Sequence, residues 1–186
     1  MEDSAVFLIG VIEGFYGRSW SFETRLAYAD YLFESGLNTS IYCPKGDPYL
    51  RARWKEDWPE SSWSELLQLS KAYGQRGINW GVGLSPVELY REYGKEQRDQ
   101  CKRKVERLAE LSAPVIAILF DDMPGDLDAL ATRQSEIVAD VCRWIPGIRV
   151  LVCPTCYSFD PVLEQYYGKM PLDYWPQLGR ELPLDT

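Results

Sequence analysis

Histidine is absent from the 186 residues, and this removes Ser-His-Asp triads, Cys-His dyads and imidazole-based metal sites together. Acid–base chemistry is left to carboxylates, Tyr, Lys or Cys. Basic charge is also scarce: 20 Lys and Arg stand against 28 Asp and Glu, a formal net charge of −8. Clustered cations carry phosphate-backbone binding, so no nucleic-acid partner is expected, and an uncharged or weakly charged substrate fits better. No apolar run approaches the ~20 residues needed to cross a bilayer, and no membrane partner is expected. The acidic start Met1-Glu2-Asp3-Ser4 and the short apolar run Ala5 to Val11 lack the basic flank and length of a secretory leader. Cysteines are few and odd in number, at 43, 101, 142, 153 and 156. Their irregular spacing argues against a disulfide framework, and a reducing cytoplasm is the simplest compartment. Cys153 and Cys156 form a CxxC with no second pair, so neither a metal nor any other cofactor is expected.

What the chain does have is apolar and aromatic content, 46% and 13%, with seven Trp and twelve Tyr. Residues 1–186 are therefore read as one domain with a sizeable core. Aromatic faces suit the apolar face of a sugar ring, although most such rings pack in cores. Trp54 and Trp58 are read as packing residues.

Apolar, β-rich runs occur at Val6 to Val11, Thr39 to Tyr42, Ile78 to Leu84, Val115 to Phe120 and Val150 to Cys153, and they start every 33 to 39 residues. That is the repeat of a βα unit, with runs continuously apolar as in parallel strands covered on both faces. Between them, Ser21 can cap a helix with Phe22, Leu26, Ala29 and Phe33 on one face, ending at Gly36. Ser62 and Glu65 have capping-box spacing ahead of Leu66, Leu69 and Tyr73, with Gly74 or Gly77 as the stop. Cys101, Val105, Leu108 and Leu111 form a third stripe before Pro114. Asp128 opens a fourth helix through Ile137, Val138 and Val141, closed at Pro146-Gly147, and Pro171 to Leu178 is read as a fifth. Two architectures remain open: a doubly wound sheet, or the first five units of a (β/α)₈ barrel. Neither a GxGxxG nor a Walker A sequence is present.

In either architecture the active edge lies after the strands. Those loops read Glu13-Gly14-Phe15-Tyr16-Gly17-Arg18, Pro44-Lys45-Gly46-Asp47, Ser85-Pro86, Asp121-Asp122 and Pro154-Thr155-Cys156-Tyr157. Asp121-Asp122 is the sharpest feature. At the end of an apolar strand, desolvation and like charge would each raise a carboxyl pKa, leaving one group ionised and its neighbour protonated. The alternatives are a turn cap, or a cation site built from Asp121, Asp122, Asp126 and Asp128. Lys45 can donate to a sugar hydroxyl or a carboxylate, and Tyr157 can offer its hydroxyl. Gly14 and Gly17 fit either close ligand approach or a tight turn.

Taken together, GVIEGFYGRSW (10–20), NTSIYCPKGDPYLRARW (38–54), GLSP (83–86), AILFDDM (117–123) and CPTCYS (153–158) resemble family 84 of the glycoside hydrolases, β-N-acetylglucosaminidases of the O-GlcNAcase type. The resemblance implies a partial (β/α)₈ barrel acting on an N-acetylglucosamine-containing glycoconjugate or glycoprotein. It also implies retaining, substrate-assisted catalysis through an oxazoline, an exception to the two-carboxylate scheme. Under it, Asp121 orients the acetamido N–H, Asp122 is the general acid and then base, and Gly14, Lys45 and Tyr157 contact the sugar.

The chain departs from the family pattern at Ser19, Gly46 and Cys156, where the family has Pro, Asp and Glu. It carries five βα units where the family has eight. Little activity from the chain alone is therefore expected, with self-association through the open sheet edge. A non-catalytic carbohydrate-binding remnant is the alternative.

Overall fold

The computed structural model describes residues 7–183. Five strands, β1 (Gly10–Glu13), β2 (Thr39–Tyr42), β3 (Asn79–Leu84), β4 (Val115–Leu119) and β5 (Arg149–Cys153), alternate with helices α1 (Phe22–Glu34), α2 (Glu60–Gln75), α3 (Lys95–Ala109) and α4 (Leu130–Trp144). Two short helices follow, α5 (Pro161–Tyr167) and α6 (Tyr174–Glu181). Every pairing is parallel and the strand order is the chain order, β1 to β5. A doubly wound sheet reverses its order at a switch point. Sequential winding without reversal is instead the winding of a barrel.

Both faces of the sheet carry apolar groups. Ile116 and Ile118 of β4 point into the large core shared with the helices, where Leu69, Val105 and Val138 also lie. Val115, Ala117 and Leu119, on the other face, join Ile41 and Cys43 in a smaller apolar cluster. Period-two alternation thus places apolar groups on both faces, which explains the unbroken apolar runs. Among the described residues the arc is open: β1 pairs only with β2, and Phe7, Ile9 and Ile12 along that edge are exposed.

The first strand lies further along than Val6 to Val11; Val6 is outside the described residues. The Asn38 side chain explains the shift. Its Oδ1 accepts from Ile9 N and its Nδ2 donates to Phe7 O, each at 2.8 Å, so ahead of Gly10 the Asn38 side chain takes two main-chain bonds while the residue's own N–H donates to Ile9 O.

In α1 the Ser21 cap forms, accepting from Thr24 N at 3.2 Å. Leu32, however, enters the core and Phe33 faces solvent. α2 opens at Glu60 behind Pro59, ahead of the Ser62 start, and the chain turns at Gly77, φ +72°. α3 buries Cys101, Val105 and Leu108, together with Lys104, while Leu111 lies past its end. α4 opens at Leu130, two residues after Asp128. α5 was not foreseen, although Asp160 caps it through Val162 N at 2.9 Å with Pro161 in the first turn. The helix read from Pro171 to Leu178 lies at Tyr174–Glu181. Trp54 and Trp58 are buried, and their indole N–H groups donate to Val87 O and Asp47 Oδ2.

Candidate active site

The loops after β1, β2, β4 and β5 meet at one rim. The side chain of Lys45, after β2, is 3% exposed, and its Nζ lies 2.5 Å from Asp121 Oδ2 and 3.0 Å from Asp122 Oδ2. Consecutive side chains on a strand point to opposite faces. The left-handed backbone at Asp122, φ +56°, ends that alternation and lets both carboxylates reach one ammonium. The segment is anchored from behind: Phe120 O accepts from the Thr155 hydroxyl at 2.8 Å, and Gln134 Nε2 donates to Thr155 Oγ1 at 2.7 Å. Tyr174 completes this buried chain by donating to Gln134 Oε1.

Two phenols also hold Asp122. Tyr16 donates to Oδ2 and Tyr167 to Oδ1, each at 2.8 Å. Burial works to raise the Asp122 pKa, but donation from Lys45, Tyr167 and Tyr16 outweighs it and holds the carboxyl below its ordinary value. The expectation that desolvation and like charge would protonate one member of the pair is corrected for Asp122, because three donors converge on it. Burial opposes the Lys45 charge, yet the two carboxylates keep its pKa above the ordinary lysine value. Tyr167 is pushed up to about 12, first by its bond to Asp122 and then by burial.

Beside the pair lies a pocket of about 350 Å³ lined by Ile12, Gly14, Phe15, Cys43, Lys45, Leu119, Asp121 and Cys153. Burial pushes the Cys43 thiol up to about 12 and the Cys153 thiol up to about 11, so neither supplies a thiolate at neutral pH. Asp121 Oδ1 is buried and finds no hydrogen-bond partner among the described residues.

Four of the five candidate residues come together: Gly14, Lys45 and Asp121 line the pocket, and Asp122 shares the Lys45 ammonium. Tyr157 stands near the two carboxylates but outside the pocket. It is 43% exposed on the β5 loop and outside the pocket lining, and its hydroxyl pKa is raised by burial and then by Asp122 and Asp121. The two glycines also separate. Gly17 has φ +106° and makes the turn, whereas a Cβ on Gly14 would meet only Ile12 Cγ2 at 3.5 Å and Cys43 Sγ at 3.8 Å. As for a cation site, Asp126 is engaged by Tyr90 and Arg91. No group of three or more metal-ligating side chains forms among the described residues.

Residues 9–185 match the model of the beta-N-acetylglucosaminidase family. The chain belongs to this family. Among its relatives are the protein O-GlcNAcases of Rattus norvegicus and Mus musculus, each 29% identical over 160 residues, 81% of this chain and 18% of theirs. A mutant of the Thermobaculum terrenum O-GlcNAc hydrolase superposes with a TM-score of 0.83 at 31% identity, covering 96% of this chain and 39% of that one. The chain thus spans less than a fifth of the length of these curated relatives, and its sequential parallel strands are five βα units of a (β/α)₈ barrel.

Within this beta-N-acetylglucosaminidase frame, sequence reasoning missed Tyr16 and Tyr167 as partners of Asp122. Tyr16 stood in a quoted loop, but a Tyr between two glycines reads equally as packing. Tyr167 carries no local signal, because only the path of α5 brings it across. No helix among the described residues is long and apolar enough to cross a membrane.

Proposed function

We propose that residues 1–186 form part of a catalytic barrel domain that hydrolyses β-linked N-acetylglucosamine from a glycoconjugate or glycoprotein, with retention and by substrate assistance. The observation that carries this reading is the orphaned Asp121 Oδ1 beside the pocket. A buried acceptor without a donor is costly, and an acetamido N–H is a donor of the right kind. Held there, the acetamido group turns its own oxygen toward the anomeric carbon, and no nucleophile from the protein is required.

Asp122 then gives a proton to the leaving oxygen and takes one back from water. In the resting site its carboxylate is charged, so the acid step needs proton uptake as substrate enters and perturbs the Lys45 and tyrosine contacts. Lys45 and Gly14 are placed to meet the sugar, and Tyr157 meets it from the rim. The gap between β1 and β5 leaves the pocket open on one side, which supports low turnover by this chain alone. Self-association through those edges would cover it. The five cysteines form no disulfide among the described residues, which fits a reducing cytoplasm.

One observation favours a second reading, a carbohydrate-binding remnant: three donors hold the acid in its charged form. Hydrolysis of an aryl β-N-acetylglucosaminide, alongside binding of N-acetylglucosamine, separates the two. Slow turnover that Asp122→Ala abolishes supports the hydrolase. Binding without turnover supports the remnant, and neither activity in the folded chain sinks both.

A further inference from the structure

Asp122 has two oxygens, and they are held differently. Oδ2 faces Lys45 at 3.0 Å and Tyr16 at 2.8 Å, whereas the hydrogen bond to Oδ1 among the described residues comes from Tyr167. We propose that Tyr167 is a positioning residue for Asp122, fixing Oδ1 through its hydroxyl and setting how readily that carboxyl takes up the proton used in hydrolysis. The proposal rests on the reading of Asp122 as the proton carrier, and it adds a residue that neither motif nor spacing assigns.

The placement of Tyr167 is built from both ends of the residue. Its hydroxyl is 2.8 Å from Asp122, and its main-chain oxygen accepts from Gly125 N at 2.5 Å. The last residue of α5 is therefore tied to the β4 loop on either side of Met123-Pro124. A Cβ at Gly125 would stand 3.4 Å from that same Tyr167 oxygen and 3.7 Å from Leu130 and Thr155, ordinary contact distances, so the β4 loop and the end of α5 pack closely without requiring glycine there. The adjacent Tyr166, by contrast, points to solvent and is 74% exposed.

A phenol differs from an ammonium at such a position. Lys45 only donates, and it penalises protonation of Asp122 outright. A tyrosine hydroxyl donates to the carboxylate and, once rotated, accepts from the carboxylic acid. Tyr167 can thus hold Oδ1 in both protonation states while favouring the charged one. That balance suits a group that must alternate between acid and base.

The other groups facing Asp122 come from every neighbouring loop. They are Lys45 after β2, Tyr16 after β1 with the Arg51 guanidinium 5.9 Å from its ring, Asp121 beside it, and Cys153 and Tyr157 from β5. Among the described residues, the hydrogen bond to Oδ1 is from Tyr167. Replacing that hydroxyl therefore removes one donor and leaves the Oδ2 contacts in place.

The test is a carbon-13 NMR titration of the Asp122 carboxyl in the intact chain, in Tyr167→Phe and in Tyr166→Phe. Loss of a donor to a charged group is expected to raise the Asp122 pKa by about one pH unit in Tyr167→Phe. Tyr166→Phe should leave it where it is. Identical titration in the chain and in a folded Tyr167→Phe overturns the proposal.

If Tyr167→Phe does not fold, the complementary reading uses Asp122→Asn and follows the Tyr167 ring. Its phenol, held up to about 12 first by Asp122, should fall toward the ordinary value of about 10, and no movement overturns the proposal equally. Turnover of an aryl β-N-acetylglucosaminide is measured in parallel. A shifted titration with no turnover in any form leaves Tyr167 in its role and sinks the hydrolytic reading instead. Where there is turnover, the alkaline limb of kcat/KM should move up by the same unit in Tyr167→Phe.

Discussion

The Lys45 ammonium lies 2.5 Å from the Asp121 carboxylate, although 76 residues separate them in the chain. At 3% exposure this ammonium neutralises two carboxylates at once. Lys45→Met should leave Asp121 and Asp122 facing each other with no cation between them. A loss of about 1–3 kcal/mol is expected, read by urea denaturation at neutral pH, together with a raised Asp122 pKa. Unchanged stability would mean that the carboxylates are solvated well enough to dispense with the lysine.

Asp122 itself links stability to pH. Its folded-state pKa lies below the ordinary value, so the unfolded chain binds the proton more tightly. Its contribution is fully present above the unfolded value of about 3.9 and is lost as pH falls through the folded value. The stability difference between the protein and Asp122→Asn should therefore hold constant from neutral pH down to about 5 and shift against the protein below about 4. A difference independent of pH across that range would contradict the assignment.

Gly14→Ala separates turn geometry from ligand approach. The added Cβ meets nothing closer than 3.5 Å, so stability should change by less than about 1 kcal/mol. The methyl group would occupy pocket space, and weaker N-acetylglucosamine binding is expected. A large stability loss would reassign Gly14 to the fold.

Gly83→Ala should behave in the opposite way. A Cβ there would sit 2.6 Å from Cys43 Cβ and 2.8 Å from Leu119 Cδ1, inside the packed inner face. Destabilisation of about 1–3 kcal/mol is expected from overpacking, measurable as a lowered denaturation midpoint.

Lys104 offers a pH test away from the site. Buried on α3 with its Nζ 3.8 Å from the Trp58 ring centroid, it has a pKa lowered to about 8, chiefly by burial. Between that value and the unfolded value of about 10.4, the unfolded state binds more protons, so stability rises with pH across this window. The rise should be on the order of 2 kcal/mol and should vanish in Lys104→Met. A flat profile in both would show that the ammonium is solvated.

The candidate site was legible wherever a residue's position along its own strand decided its place. Asp121, Lys45 and Gly14 follow apolar runs directly, and parallel strands deliver such residues to a common rim. Leu32 and Phe33 show the limit at the next level: both fit a helical stripe, and only the neighbouring α2 selects which is buried. The first strand was misplaced because Asn38 bonds the main chain at Phe7 and Ile9, a contact no local pattern announces.

By itself, then, the sequence determined the parallel βα repeat, the lack of imidazole chemistry and the position of paired carboxylates at a strand end, because periodicity and residue chemistry act over short stretches. The tertiary structure decided the charge state of Asp122. Tyr16, Lys45 and Tyr167 come from 106, 77 and 45 residues away, and a pKa is set by whatever donors and low-dielectric surroundings the folded chain gathers around the group.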